Sequence, residues 1–110
     1  MNTLTTNDVT GVYLSVNNKF EKASALTLNN DSTFLYEYAL GGCQDEVKGK
    51  WALKSNQIYL TLNINRDSVV YHIPDLNNVS WTIVPSGIRP NTIIDNGCFK
   101  EKALHKKQKR

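Results

Sequence analysis

A chain of 110 residues is long enough for one domain and too short for two. Hydrophobic residues make up 40% and charged residues 21%, which excludes a disordered chain. No apolar run approaches the roughly 18 residues of a membrane-spanning helix. The net charge of +3 is unevenly placed: residues 100–110 carry six Lys and Arg against Glu101 alone, and residues 1–99 carry seven against nine Asp and Glu. A basic footprint for a polyanion should lie across a fold, so nucleic acid is not the expected partner. Residues 1–100 read as a single β-domain and residues 101–110 as a basic, flexible tail.

Short β-rich runs separated by Asn, Asp, Gly and Ser dominate the chain. Val9–Val16 reads as a first strand with Val12, Leu14 and Val16 on one face. Residues 17–24 are polar and read as loop or one helical turn. Ala25–Asn29 and Thr33–Leu40 form a hairpin through Asn30, Asp31 and Ser32, whose side chains suit a tight turn. On the second of these strands Phe34, Tyr36, Tyr38 and Leu40 share a face, because side chains repeat every two residues. Gly41 and Gly42 break the pattern, and Val47–Lys54 resumes it with Val47, Gly49, Trp51 and Leu53 aligned. After a turn at residues 55–57, Ile58, Leu60, Leu62 and Ile64 give the most regular alternation in the chain. A turn at 65–68 leads into Val69–Ile73, then a loop, then Val79–Val84, which carries Trp81. Pro85–Pro90 reads as a break, followed by extended segments at Thr92–Asp95 and Cys98–Lys100. The fold class is all-β: an up-and-down antiparallel meander of about seven to nine strands, closing into a small barrel or half-barrel.

The two halves repeat loosely. Gly11-Val12-Tyr13 parallels Gly49-Lys50-Trp51, and Leu26-Thr27-Leu28-Asn29 parallels Leu60-Thr61-Leu62-Asn63. Two related meanders, or merely shared hairpin chemistry, produce such a pattern. Glycine lets a sheet bend sharply where a nearby ring covers the bared backbone. The series Gly11-Val12-Tyr13, then Leu26 to Phe34, then Gly49-Lys50-Trp51, then Ile58 to Leu62 resembles small bacterial lipocalin-like (calycin-type) envelope proteins. The resemblance covers roughly residues 9–64 and implies an eight-stranded barrel or half-barrel, often exported. The chain departs from it at Ser32, where the pattern has Gly, and it lacks the Cys-x-x-Cys of copper-linked members.

Catalytic signatures are sparse. His72 and His105 are too far apart in sequence to suggest a metal site, and no cofactor is expected. No nucleophile elbow occurs, so a small hydrolase or isomerase would rest on Cys43 and His72 alone. No catalytic residue is therefore assigned. The aromatic residues Tyr36, Tyr38, Trp51, Tyr71 and Trp81 are the candidate ligand-binding set, since a barrel interior collects several of them. Filling the core is the competing use for the same rings. The expected function is a non-catalytic binding module that takes a small apolar ligand or a protein through the barrel. The alternative is an inhibitor or immunity-type protein that covers another protein's active site.

Cys43 and Cys98 follow glycine-bearing breaks rather than sitting in apolar strand faces, and they are the only two cysteines. A disulfide between them is expected, with reduced thiols of a cytoplasmic protein as the opposing reading. The bridge implies a periplasmic or extracellular location after removal of a signal. The N-terminal residues taken literally, with no basic start and no apolar stretch, imply the cytoplasm.

Overall fold

The computed structural model of the chain describes residues 5–15, 22–62 and 76–108. Eight of its strands close an antiparallel barrel. They are β1 (Gly11–Ser15), β2 (Lys22–Leu28), β3 (Thr33–Leu40), β4 (Cys43–Lys54), β5 (Gln57–Leu62), β6 (Ser80–Val84), β7 (Gly87–Pro90) and β10 (His105–Lys107). The first seven pair in chain order as a meander, and β10 enters between β7 and β1. Strands β8 (Ile94–Asp95) and β9 (Lys100–Glu101) form a separate hairpin before it.

Alternation decides which side chains face inward. Phe34, Tyr36 and Tyr38 of β3 are buried, as are Leu26 and Leu28 of β2, Ile58 and Leu60 of β5, and Trp51 and Trp81. These rings and branched chains form the core, with Val9, Tyr13, Leu76, Val79, Ile88, Ile94 and Phe99 around them. A four-residue helical turn, Thr6–Val9, precedes β1, and the Tyr13 hydroxyl donates to the Val9 carbonyl at 2.6 Å. The Asp8 carboxylate accepts from the Thr5 amide and hydroxyl, and the Asp8 amide donates to the Thr5 carbonyl at 3.0 Å, which together hold the start of the turn.

Several boundaries differ from the sequence reading, each for a local reason. Residues 22–24 are strand, because Lys22, Ala23 and Ser24 pair with Leu40, Ala39 and Tyr38. The Gly41-Gly42 loop holds only two residues, so β4 starts at once with Cys43 opposite Leu40. Its first four residues are exposed, so no apolar alternation marks the start of the strand. Gly87–Pro90 is a strand and not a break. Ile88 and Pro90 point inward, and Pro90 ends the strand, where a missing amide costs little. The tail is corrected most. Glu101 and His105 are buried, and His105–Lys107 closes the barrel, so the domain runs past residue 100. Val16, residues 17–21 of the polar stretch 17–24, Ile64, the turn at 65–68 and the strand at Val69–Ile73 lie outside the described residues.

Glycine placement explains how the sheet closes. Gly11, Leu28, Phe34, Gly49 and Leu62 form one continuous cross-strand row. A Cβ at Gly49 would land on the Thr61 carbonyl and on the Phe34 ring. The ring that covers this glycine is thus across the sheet, on β3, and is not Trp51 two residues on. Ser32, where the lipocalin-like pattern has Gly, sits at φ 72°, a left-handed conformation that costs about 1 kcal/mol or more for a residue with a Cβ. Ser32→Gly should therefore raise the unfolding free energy by about 1 kcal/mol. Gly49→Ala should lower it by about 3 kcal/mol, both read from urea midpoints. Equal midpoints for the two variants would contradict this account of the barrel's bends.

Candidate functional site

The hairpin β8–β9 lies over the end of the barrel where β3 hands over to β4, and a disulfide ties it there. Cys43 at the start of β4 and Cys98 between β8 and β9 are bonded, with Cα atoms 5.6 Å apart. Asn96 secures the hairpin loop from inside. Its side-chain oxygen accepts from the amides of Cys98 and Phe99 at 3.0 and 2.9 Å, and its Nδ2 donates to the Tyr36 hydroxyl at 3.1 Å.

Beneath the hairpin lies a buried polar cluster that spans four strands. The Tyr36 hydroxyl donates to Glu101 Oε2. Ser24 Oγ lies 2.8 Å from Glu101 Oε1 and 2.8 Å from His105 Nε2. The same Nε2 is 3.5 Å from Glu101 Oε1, while Nδ1 of His105 is 2.9 Å from the Ala103 carbonyl. His105 and Tyr36 have no accessible surface, Ser24 has 5% and Glu101 8%. The Trp81 ring stands at 80° to the imidazole with centroids 5.1 Å apart, and its buried indole N–H finds no acceptor among the described residues.

Burial drives the titration behaviour of these groups. It pushes His105 below the usual imidazole value, against the opposing pull of Glu101 and the Ala103 carbonyl. Burial first, and the Glu101 charge second, push the Tyr36 hydroxyl far above the usual phenol value. Tyr38 is raised by burial and by Asp45, and burial alone pushes Tyr13 up to about 12.

Serine, histidine and carboxylate in contact invite a comparison with nucleophilic triads. There the serine and the acid occupy opposite ring nitrogens. Here Ser24 and Glu101 share Nε2, and Nδ1 is taken by a backbone carbonyl. Ser24 also faces the packed interior. The cluster is laid out to hold protons and strands rather than to present a nucleophile.

Of the aromatic set singled out from sequence, Tyr36, Tyr38, Trp51 and Trp81 all line the interior, at 0 to 4% exposure. The rings of Tyr36 and Tyr38 lie 5.3 Å apart, and the Trp51 indole donates to the Asn29 carbonyl at 2.8 Å. So placed, they belong to the buried core cluster together with the aliphatic residues. Tyr71 and His72 lie outside the described residues. Cys43 carries its sulfur in the disulfide, so no thiol nucleophile stands there. Among the described residues no group of three or more His, Cys, Asp or Glu is placed to hold a metal.

Accessible space lies on the outside of the sheet. A groove of about 530 Å3 runs across β2, β3 and β4. Ala23, Ala25 and Ala39 give it a shallow floor, Leu14 forms one side, and Glu37 and Glu46 stand directly opposite each other across the β3–β4 pair. Neither the groove nor the polar cluster is legible in the sequence, because Ser24 ends a polar stretch, Gln44, Asp45 and Glu46 precede the alternation that starts at Val47, and Glu101 and His105 fall in a basic run.

None of the family models, curated proteins or solved structures compared with this chain matches it.

The buried phenols set an alkaline limit. A hydroxyl whose folded pKa is raised contributes stability that is complete below pH 10 and is lost as pH climbs beyond it. Tyr13 and Tyr36 should therefore ionise only as the near-ultraviolet circular dichroism collapses, well above pH 10. Ionisation of every tyrosine near pH 10 with the fold intact would contradict the burial assigned to these rings.

Proposed function

We propose that this protein is an exported, non-catalytic binding module that grips a partner protein on the outer face of its barrel. The observation that carries the reading is the groove across β2, β3 and β4, with its small-residue floor and its facing carboxylates. Like charges set directly across a strand pair destabilise it, so a lysine or arginine of the partner inserted between Glu37 and Glu46 would relieve that repulsion. The packed interior favours a protein partner over a small apolar ligand held inside. The disulfide fits an oxidising compartment, and among the described residues no helix is long and apolar enough to cross a membrane. The lipocalin-like resemblance belongs to the same proposal, supported by an eight-stranded closed barrel in which Gly49 lies too close to Thr61 and Phe34 to admit a Cβ. The inhibitor or immunity-type role is the form of this function in which the covered surface is the partner's active site.

The test compares wild-type protein with Glu37→Lys/Glu46→Lys as bait, at low and at moderate salt, in the exported fraction of the source cell. A stoichiometric partner held by the wild type should bind the double variant at least about tenfold more weakly, a loss of about 1.4 kcal/mol. Equal capture by both proteins would remove the groove from the function. Displacement of a fluorescent fatty acid by neither protein is the companion result expected for a filled interior.

A further inference from the structure

The hydrogen-bond inventory of the buried cluster does not close without one additional proton. Nδ1 of His105 faces the Ala103 carbonyl, which can only accept, so Nδ1 carries hydrogen. Oε2 of Glu101 accepts from Tyr36, whose oxygen in turn accepts from Asn96. Ser24 has a single hydrogen and lies 2.8 Å from both Glu101 Oε1 and His105 Nε2. With a bare carboxylate and a neutral imidazole, one of those two contacts lacks hydrogen, and two lone pairs face each other across 3.5 Å. An unsatisfied pair of this kind, sealed from water, costs several times what a normal hydrogen bond contributes.

We propose that Glu101, Ser24 and His105 form a buried proton-binding site that stays occupied at neutral pH and fastens the β8–β9 hairpin to strands β2 and β10. Two placements complete every bond. With the proton on Nε2, the imidazolium donates to Ser24 and Ser24 donates to Glu101. With it on Oε1, the carboxyl donates to Ser24 and Ser24 donates to Nε2. They interconvert by shifting two hydrogens along the line Oε1, Oγ, Nε2, with no heavy atom moving and no charge entering or leaving. Burial disfavours a charged imidazole, against the opposing pull of Glu101 and the Ala103 carbonyl.

Among the described residues, no second histidine stands beside the cluster. Tyr36 and Tyr38 face the cluster from β3, Ser15 approaches Ser24 from β1, Trp81 lies against the imidazole from β6, and Asn96 closes the hairpin side. Asp45 of β4 acts on Tyr38. The charged neighbours in the strands that carry or flank the cluster, Glu37, Arg89, Lys100, Lys102, Lys106 and Lys107, are exposed.

The sign of the pH dependence decides the matter. An unfolded chain carries one proton on His105 between about pH 4.3 and 6.5 and sheds it above that. A folded chain that keeps its shared proton is then the more protonated state. The unfolding constant of the wild-type protein should be level from about pH 5 to 6.5 and rise above it, by up to about tenfold per unit. Glu101→Gln supplies the missing hydrogen permanently, its amide donating to Ser24 and its oxygen accepting from Tyr36. That variant should stay folded and show the opposite trend, an unfolding constant that falls as pH rises from about 5 to 7. Calorimetric unfolding of wild-type protein near pH 7.5, in buffers of different ionisation heat, should register release of about one proton and needs no variant. A wild-type constant that falls or stays level across the neutral range, or unfolding without proton release, overturns the proposal.

Discussion

Closing the barrel is the constraint on which the rest of this structure depends. Strand β1 is only five residues long and would present an open edge on one side if the meander stopped at β7. Three residues near the C-terminus remove that edge: His105, Lys106 and Lys107 pair with Ser15, Leu14 and Tyr13 on one side, and His105 and Lys106 pair with Ile88 and Gly87 on the other. Gly87 makes the approach possible, since a Cβ there would collide with the His105 carbonyl. The exposed Lys107 ammonium reaches the Asp8 carbonyl at 2.9 Å, so the last strand also touches the helical turn that precedes the first.

The interior answers the same constraint. Because β10 must be a strand, every second residue points into the barrel, and at position 105 that residue is histidine. A buried imidazole needs partners, and Ser24, Glu101 and the Ala103 carbonyl supply them. Glu101 in turn needs Tyr36, and Tyr36 takes Asn96, which orders the loop that carries Cys98. The polar chain thus runs from the closing strand to the disulfide. Together they hold the short β8–β9 pair, which has little sheet of its own, against the barrel's end. The bridge spans 55 residues and limits the unfolded chain by up to about 4 kcal/mol, so hairpin and barrel resist separation.

What the sequence makes legible follows the physics of side chains. Aromatic and branched residues at alternate positions declare β3, β5 and β6, because their burial depends on the two-residue period alone. The turn at Asn30, Asp31 and Ser32 is equally plain, since Asp31 caps the Thr33 amide locally. The cysteine pair is legible from its glycine-flanked positions, as the bond between Cys43 and Cys98 bears out. Strands β7 and β10 are not legible. Pro90 and the run of lysines carry propensities against strand, and only pairing with distant residues overrides them. The polar cluster is hidden for the same reason: Ser24 and His105 are 81 residues apart, and nothing local marks either one as buried. The outer groove depends on three small residues and two acids that meet only through the register of β2, β3 and β4.

Truncation tests the central claim most directly. A chain ending at Gln108 keeps every described strand, whereas one ending at Ala103 keeps both cysteines and loses β10. If His105–Lys107 closes the barrel, the longer chain retains cooperative urea unfolding close to that of the full protein. The shorter one, with its disulfide formed, loses cooperative unfolding and near-ultraviolet circular dichroism. Wild-type unfolding by the chain that ends at Ala103 would contradict the account.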